Sequence, residues 1–245
     1  MRPRSSSLFH FTKSIEVVKA ILKKGFWPRY CLEDVRWQGY ENFDYVAFPM
    51  TCFCDIPISR IDEHVGFYGS YGIGLTKAWG EKNSLNPIMY LSGSNPLHST
   101  MQKIIYAMSG LPEERRSAAL ADIVYLLAYA KPVAGRMLIE GKPVEKEFYL
   151  ESEWRFVPKS EKIFNSMMHE DFKDDKKREK SNAETSEHCR LQFLPSDVRY
   201  IFVPTDSEIP EIINFIQTKL DSYPAAELKV LMARVTSLES VCADA

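Results

Sequence analysis

Residues 8–25, LFHFTKSIEVVKAILKKG, change hydrophobic period halfway, and that change constrains the fold more than any other feature of the chain. In LFHFT the residues alternate, so Phe9 and Phe11 point to one side of an extended segment and His10 and Thr12 to the other. Further on, Val17, Val18, Ile21 and Leu22 make one apolar stripe, and the spacing predicts a helix over Ser14–Lys24. Ser14 is placed to cap it, Lys23 and Lys24 suit the negative end of its dipole, and Gly25 ends it.

The rest of the chain keeps switching between the two periods. FWPRYCLEDV reads as an aromatic loop, VAFPMTCFCDIP as one or two short strands ending at Pro57, and ISRIDEHVGFYG as a short helix. A strand over Tyr71–Thr76 contains glycines that leave backbone room for a ligand or a crossing chain, and NPIMYLS reads as another strand. Ser99–Ser109 and Glu113–Ala130 are helical in composition and period, and Lys131–Pro143 reads as a loop. EKEFYLESEWRFVP alternates as a strand, with Phe148, Leu150, Ser152, Trp154 and Phe156 on the packed face and Tyr149, Glu151, Glu153 and Arg155 on the other. The dense polar run within residues 159–188 predicts an exposed, partly disordered, flexible insertion centred on 168–188. CRLQFLPSDVRYIFVPTD returns to strand character, a helix follows over Ile209–Leu220, and the last segment fits a strand or a helix. No internal repeat is visible. Together these segments predict an α+β fold: a single mixed domain over residues 1–245, with short, largely antiparallel strands and flanking helices.

Charge and composition remove several functions. Thirty-one basic and 33 acidic residues leave a net charge of -2, which argues against a dominant non-specific grip on nucleic acid or an anionic membrane. The first residues lack an apolar signal core, and no stretch approaches the ~20 apolar residues that span a bilayer, so a cytoplasmic address and no membrane partner are expected. The five cysteines are irregularly spaced; Cys52-x-Cys54 lacks a second pair, so a metal site is not expected. The chain also lacks a phosphate-binding loop, an H-E-x-x-H pair and a G-x-S-x-G elbow.

Chemistry could sit at YLESEWRF and at LFHFT. The first is either a solvated surface stripe or the wall of a cleft. In a cleft, Glu153 could accept a hydrogen bond from a sugar hydroxyl and stabilise positive charge on an anomeric carbon. Glu151 could act on the incoming nucleophile, and Arg155 could lock a carboxylate through two parallel hydrogen bonds. His10 and Thr12 are either packed strand residues or face a ligand.

The phrases LFHFTKSIEVVKAILKKGFWPRYCLEDV, FPMTCFCDIPISRIDEHVGFYGSYGIGLTKAWG and NPIMYL, in that order, closely resemble the AbiGi family of bacterial abortive phage resistance proteins. The resemblance extends loosely through ESEWRFVP to LPSDVRYIFVP. It implies a defence role as the antitoxin half of a toxin–antitoxin system, neutralising a partner toxin by protein–protein binding. More remotely the layout looks like the ADP-ribosyltransferase superfamily, including its DarT-like members, which would imply an NAD-dependent enzyme with a nucleic-acid or protein acceptor. That likeness would make His10 the residue holding the NAD ribose, with Thr12 beside it. Tyr71, or else Tyr68, would stack on nicotinamide, Glu153 would be the late catalytic glutamate and Glu151 the first carboxylate of the pair.

Overall fold

The computed structural model describes residues 5–39, 44–93, 95–108, 110–139 and 142–243. In chain order the first elements are β1 (Ser7–Thr12), α1 (Ile15–Lys24), β2 (Arg29–Asp34), β3 (Tyr45–Cys54), α2 (Ile61–Tyr68), β4 (Tyr71–Thr76) and α3 (Lys77–Lys82). The middle holds β5 (Asn86–Pro87), β6 (Met89–Leu91), α4 (Pro96–Met108), α5 (Glu113–Leu127), β7 (Ala130–Pro132), β8 (Ala134–Ile139) and β9 (Lys142–Glu147). Then come β10 (Glu153–Phe156), β11 (Met167–Met168), α6 (His169–Lys173) and α7 (Asp175–His188). The chain closes with β12 (Val198–Val203), α8 (Ile209–Lys219), α9 (Ala225–Met232), β13 (Val235–Ser237) and α10 (Leu238–Ala243). The fold is mixed α+β with mainly antiparallel strand pairs, as the alternating periods predict; β12–β13 and β6–β7 are parallel.

Two compact units divide the chain, the first comprising Met1–Trp27, Cys52–Leu85 and Arg190–Ala245, the second Pro28–Thr51 and Asn86–Cys189. In the first, β1 lies between β4 and the C-terminal end of β3, and the order continues through β12 to β13. Phe9 and Phe11 pack with Ile56, Ile61, Phe202 and Leu238 on one face of β1. Their rings take the room that Gly72 and Gly74 leave on β4: a Cβ at Gly72 would come within 2.7 Å of Phe11, and one at Gly74 within 2.8 Å of Phe9. The space opened by those glycines therefore holds core aromatics. Helix α1 follows as read, with the Ser14 hydroxyl accepting from the Glu16 N–H and Gly25 closing the helix at φ 76°. Val18, Ile21 and Leu22 are buried, whereas Val17, expected on the same stripe, is exposed.

The second unit departs most from the expectations. FWPRYCLEDV forms strand β2, paired along its length with β3 from Arg29↔Met50 to Asp34↔Tyr45. The expected loop at Lys131–Pro143 contributes β7 and β8, and β8 pairs with β9. The polar run expected to be a disordered insertion is helical: α7 buries Ser181, Asn182 and Thr185. These are small polar side chains, and hydrogen bonds dock them. Asn182 Oδ1 accepts the Tyr30 N–H at 3.0 Å, and the Thr185 hydroxyl donates to the Pro28 carbonyl at 2.6 Å. Hydrogen bonds to backbone thus supply what an apolar stripe would supply elsewhere.

The segment 148–156 is not one continuous strand. A 3-10 turn covers Phe148–Glu151, Ser152 is left-handed at φ 44°, and the strand begins at Glu153. Its faces are also opposite to those expected: Glu153 and Arg155 are buried, and Trp154 is half-buried.

Candidate functional site

The residues singled out by the sequence fall into two groups, one in each unit. In the first unit, Thr12 lies across from Tyr71 and His10 across from Ile73, so His10, Thr12 and Tyr71 share one face of two paired strands. Tyr68 ends α2 elsewhere, packing at the edge of the Phe9–Phe11 cluster with its ring 4.5 Å from that of His64.

His10 and Tyr71 of the first group already have polar protein partners. The Nδ1–H of His10 donates to the Cys52 carbonyl at 2.8 Å, because a carbonyl can only accept, and this places the proton on Nδ1. The half-buried imidazole lies against Phe26 and Phe53, with centroids at 5.2 and 5.6 Å. Burial lowers the His10 pKa, although the Cys52 hydrogen bond works the other way. His10 is therefore neutral at physiological pH. The Tyr71 hydroxyl donates to Glu208 Oε2 at 2.6 Å, and that bond together with burial pushes its pKa up to about 12.

Glu151, Glu153 and Arg155 meet in the second unit, in a cluster with Glu33 of β2, Lys131 of β7 and Lys146 of β9. Arg155 has no exposed surface. Its Nε donates to Glu153 Oε1 at 2.6 Å, its Nη2 lies 3.2 Å from Glu33 Oε2, and its Nη1 donates to the Ala128 carbonyl at 2.6 Å. Lys131 Nζ donates to Glu153 Oε2 at 3.1 Å and sits 3.6 Å from Glu151 Oε2. Lys146 pairs with the other oxygen of Glu151. Burial alone would push the Lys131 ammonium down, but the carboxylates of Glu153 and Glu33 outweigh it and hold its pKa above the usual lysine value. Three carboxylates thus offset three cations, and the left-handed Ser152 lets Glu151 and Glu153 enter the same cluster.

A cleft of about 330 Å³ opens beside this cluster in the same unit. Its lining includes Glu33, Lys131, Trp37, Tyr45 and Phe148, but neither Glu151 nor Glu153. Sequence reasoning missed Glu33 and Lys131 because their segments read as loops. The available signal was a charge set among apolar neighbours, as in YCLEDV and LAYAKP. All five cysteines are free, and among the described residues no group of His, Cys, Asp and Glu could hold a metal ion. Nor is any described helix long and apolar enough to cross a membrane.

Two measurements test this assignment of roles. Arg155→Met removes the counter-charge from Glu153 and Glu33 and should cost roughly 3–5 kcal/mol in urea unfolding; a loss below about 1 kcal/mol contradicts a buried, mutually neutralised cluster. The second concerns pH. The unfolded chain binds a proton at His10 near 6.5, whereas the folded chain binds it only at lower pH. As pH falls through that value the unfolded state takes up the proton first, so stability should decline on acidification. His10→Gln should flatten this decline between about pH 7 and 5. A variant slope equal to that of the wild type contradicts a neutral His10.

Comparison with known proteins assigns the chain to a family. Residues 24–204 match the family model described as "Putative abortive phage resistance protein AbiGi, antitoxin". The "Abortive phage resistance protein AbiGi" of Lactococcus lactis subsp. cremoris is 30% identical over 247 residues, covering 89% of this chain and 99% of that protein. No solved structure matches. With the family model spanning most of its length and a relative matched nearly end to end, the chain belongs to the AbiGi family of abortive phage resistance proteins.

Proposed function

We propose that this protein is the antitoxin component of an abortive phage defence and acts by binding a partner toxin rather than by catalysis. The observation that carries this reading is the state of Glu153: both carboxylate oxygens hold cations, Arg155 on one side and Lys131 on the other, inside a buried and balanced cluster. A glutamate that stabilises a ribosyl cation must turn its charge toward substrate. Here that charge is already neutralised by residues of the same unit. The word antitoxin in the family description supports this reading.

NAD-dependent ADP-ribosyl transfer to a nucleic acid or protein is the competing reading, and the shared face of His10, Thr12 and Tyr71 speaks for it. Against it, His10 Nδ1 is committed to Cys52 and the Tyr71 hydroxyl to Glu208. Two of the polar groups that a ribose would need are therefore already engaged within the protein.

The test is incubation of the purified chain with labelled NAD and, in separate reactions, nucleic acid or cell extract. The antitoxin reading predicts no transfer of label to any acceptor. Label transferred by the wild type and lost in a folded Glu153→Gln variant would overturn it in favour of the enzyme.

A further inference from the structure

Strand edges without a neighbour border the cleft beside the charged cluster. Among the described residues β2 pairs with β3 alone and β8 with β9 alone, and both line the cleft, β2 through residues 32–34 and β8 through residues 134–137. Alternation tells which main-chain groups are open, because every second residue of an antiparallel pair turns its N–H and C=O away from its partner. On β2 those residues are Tyr30, Leu32 and Asp34. The Val35 N–H donates to the Asp44 carbonyl across the ladder, whereas the Tyr30 N–H, opposite Pro49, donates to Asn182 of α7 instead. Thr185 of α7 likewise donates to the Pro28 carbonyl, so α7 closes the first half of this edge. No described element pairs with the second half, at Leu32 and Asp34. On β8, Pro143 has no N–H to give Leu138 across the hairpin, so Leu138, Arg136 and Ala134 turn their main-chain groups away from β9. Ala134 and Arg136 are exposed.

Unpaired N–H and C=O groups that repeat at every second residue are the complement of another extended main chain. Edges left open to water are commonly shielded by charge. Here the charged side chains at the open positions, Asp34 and Arg136, are engaged by Arg36 and Glu145. Half-buried Trp37 and Tyr45 border the same cleft and give flat apolar surface on which the side chains of an incoming strand can rest. We propose that the cleft receives an extended segment of another polypeptide, which adds as a strand to these open edges. The proposal is independent of the antitoxin reading.

The probe is a displayed library of random linear peptides panned on the full chain, from which the strongest binder is synthesised and its affinity measured by fluorescence anisotropy. Methylating its amide nitrogens one at a time should weaken binding roughly tenfold at every second residue and little at those between, since only alternate amides face the edge. In amide hydrogen exchange the peptide should protect Leu32, Asp34, Ala134 and Arg136. Glu33 and Gly135, whose main chains already face β3 and β9, should be unchanged. Both readouts use the unaltered chain, so no variant has to fold. A library that yields no binder, binding indifferent to the position of the methyl group, or protection confined to other residues overturns the proposal. So does protection of these amides on raising the concentration of the chain without peptide, which would give the edges to a second copy.

Discussion

A guanidinium with no exposed surface sets the terms for the second unit. Arg155 cannot lose its proton at any physiological pH, so its burial obliges the chain to bring acceptors to it. Glu153, Glu33 and the Ala128 carbonyl answer that demand from β10, β2 and the end of α5. Lys131 and Lys146 then enter because those carboxylates, with Glu151, would otherwise leave a buried negative excess. Breaking one partner of such a set costs several kcal/mol, since the remainder stays desolvated and uncompensated. The cluster therefore fixes the register of several short elements that local propensity alone would hold weakly, and a left-handed Ser152 is tolerated to complete it.

The first unit is held by different means. Its central strand β1 is packed on both faces: Phe9 and Phe11 against one aromatic and aliphatic cluster, Leu8 and His10 against the other side. The glycines of β4 let two aromatic rings lie directly over a neighbouring backbone, a close approach that any other residue would block. His10 belongs to this packing. One ring nitrogen bonds a carbonyl and the half-buried ring lies against two phenylalanines, surroundings that favour the neutral imidazole.

What could be read from the sequence follows from which force dominates locally. Where apolar burial decides, the pattern speaks: α1 with both caps, β4 and α8 lie where their periods put them. Where charge pairing decides, hydrophobic period is silent. Strand β2 read as a loop for its aromatic and proline residues and β7 fell in a stretch read as a loop, yet Glu33 and Lys131 on them join the charged cluster. The faces of β10 were reversed for the same cause, since alternation cannot reveal that an arginine and a glutamate neutralise each other indoors while Trp154 stays half-buried. Helix α7 escaped notice because its docking face consists of serine, asparagine and threonine. Of the candidate site, the sequence placed Glu151, Glu153 and Arg155 together, and His10, Thr12 and Tyr71 on a shared face. It could not show that polar atoms of His10, Tyr71, Glu151, Glu153 and Arg155 were already engaged within each unit.

On the proposed reading, these residues build the protein rather than perform chemistry. The most direct test of that reading is to measure protection against phage, by plaque count, together with the folded fraction in the same cells for His10→Ala, Glu153→Gln and Arg155→Met. If the residues are structural, protection should follow the folded fraction along one common line for all three variants. A variant that stays as folded as the wild type and loses protection would contradict the account and return that residue to catalysis.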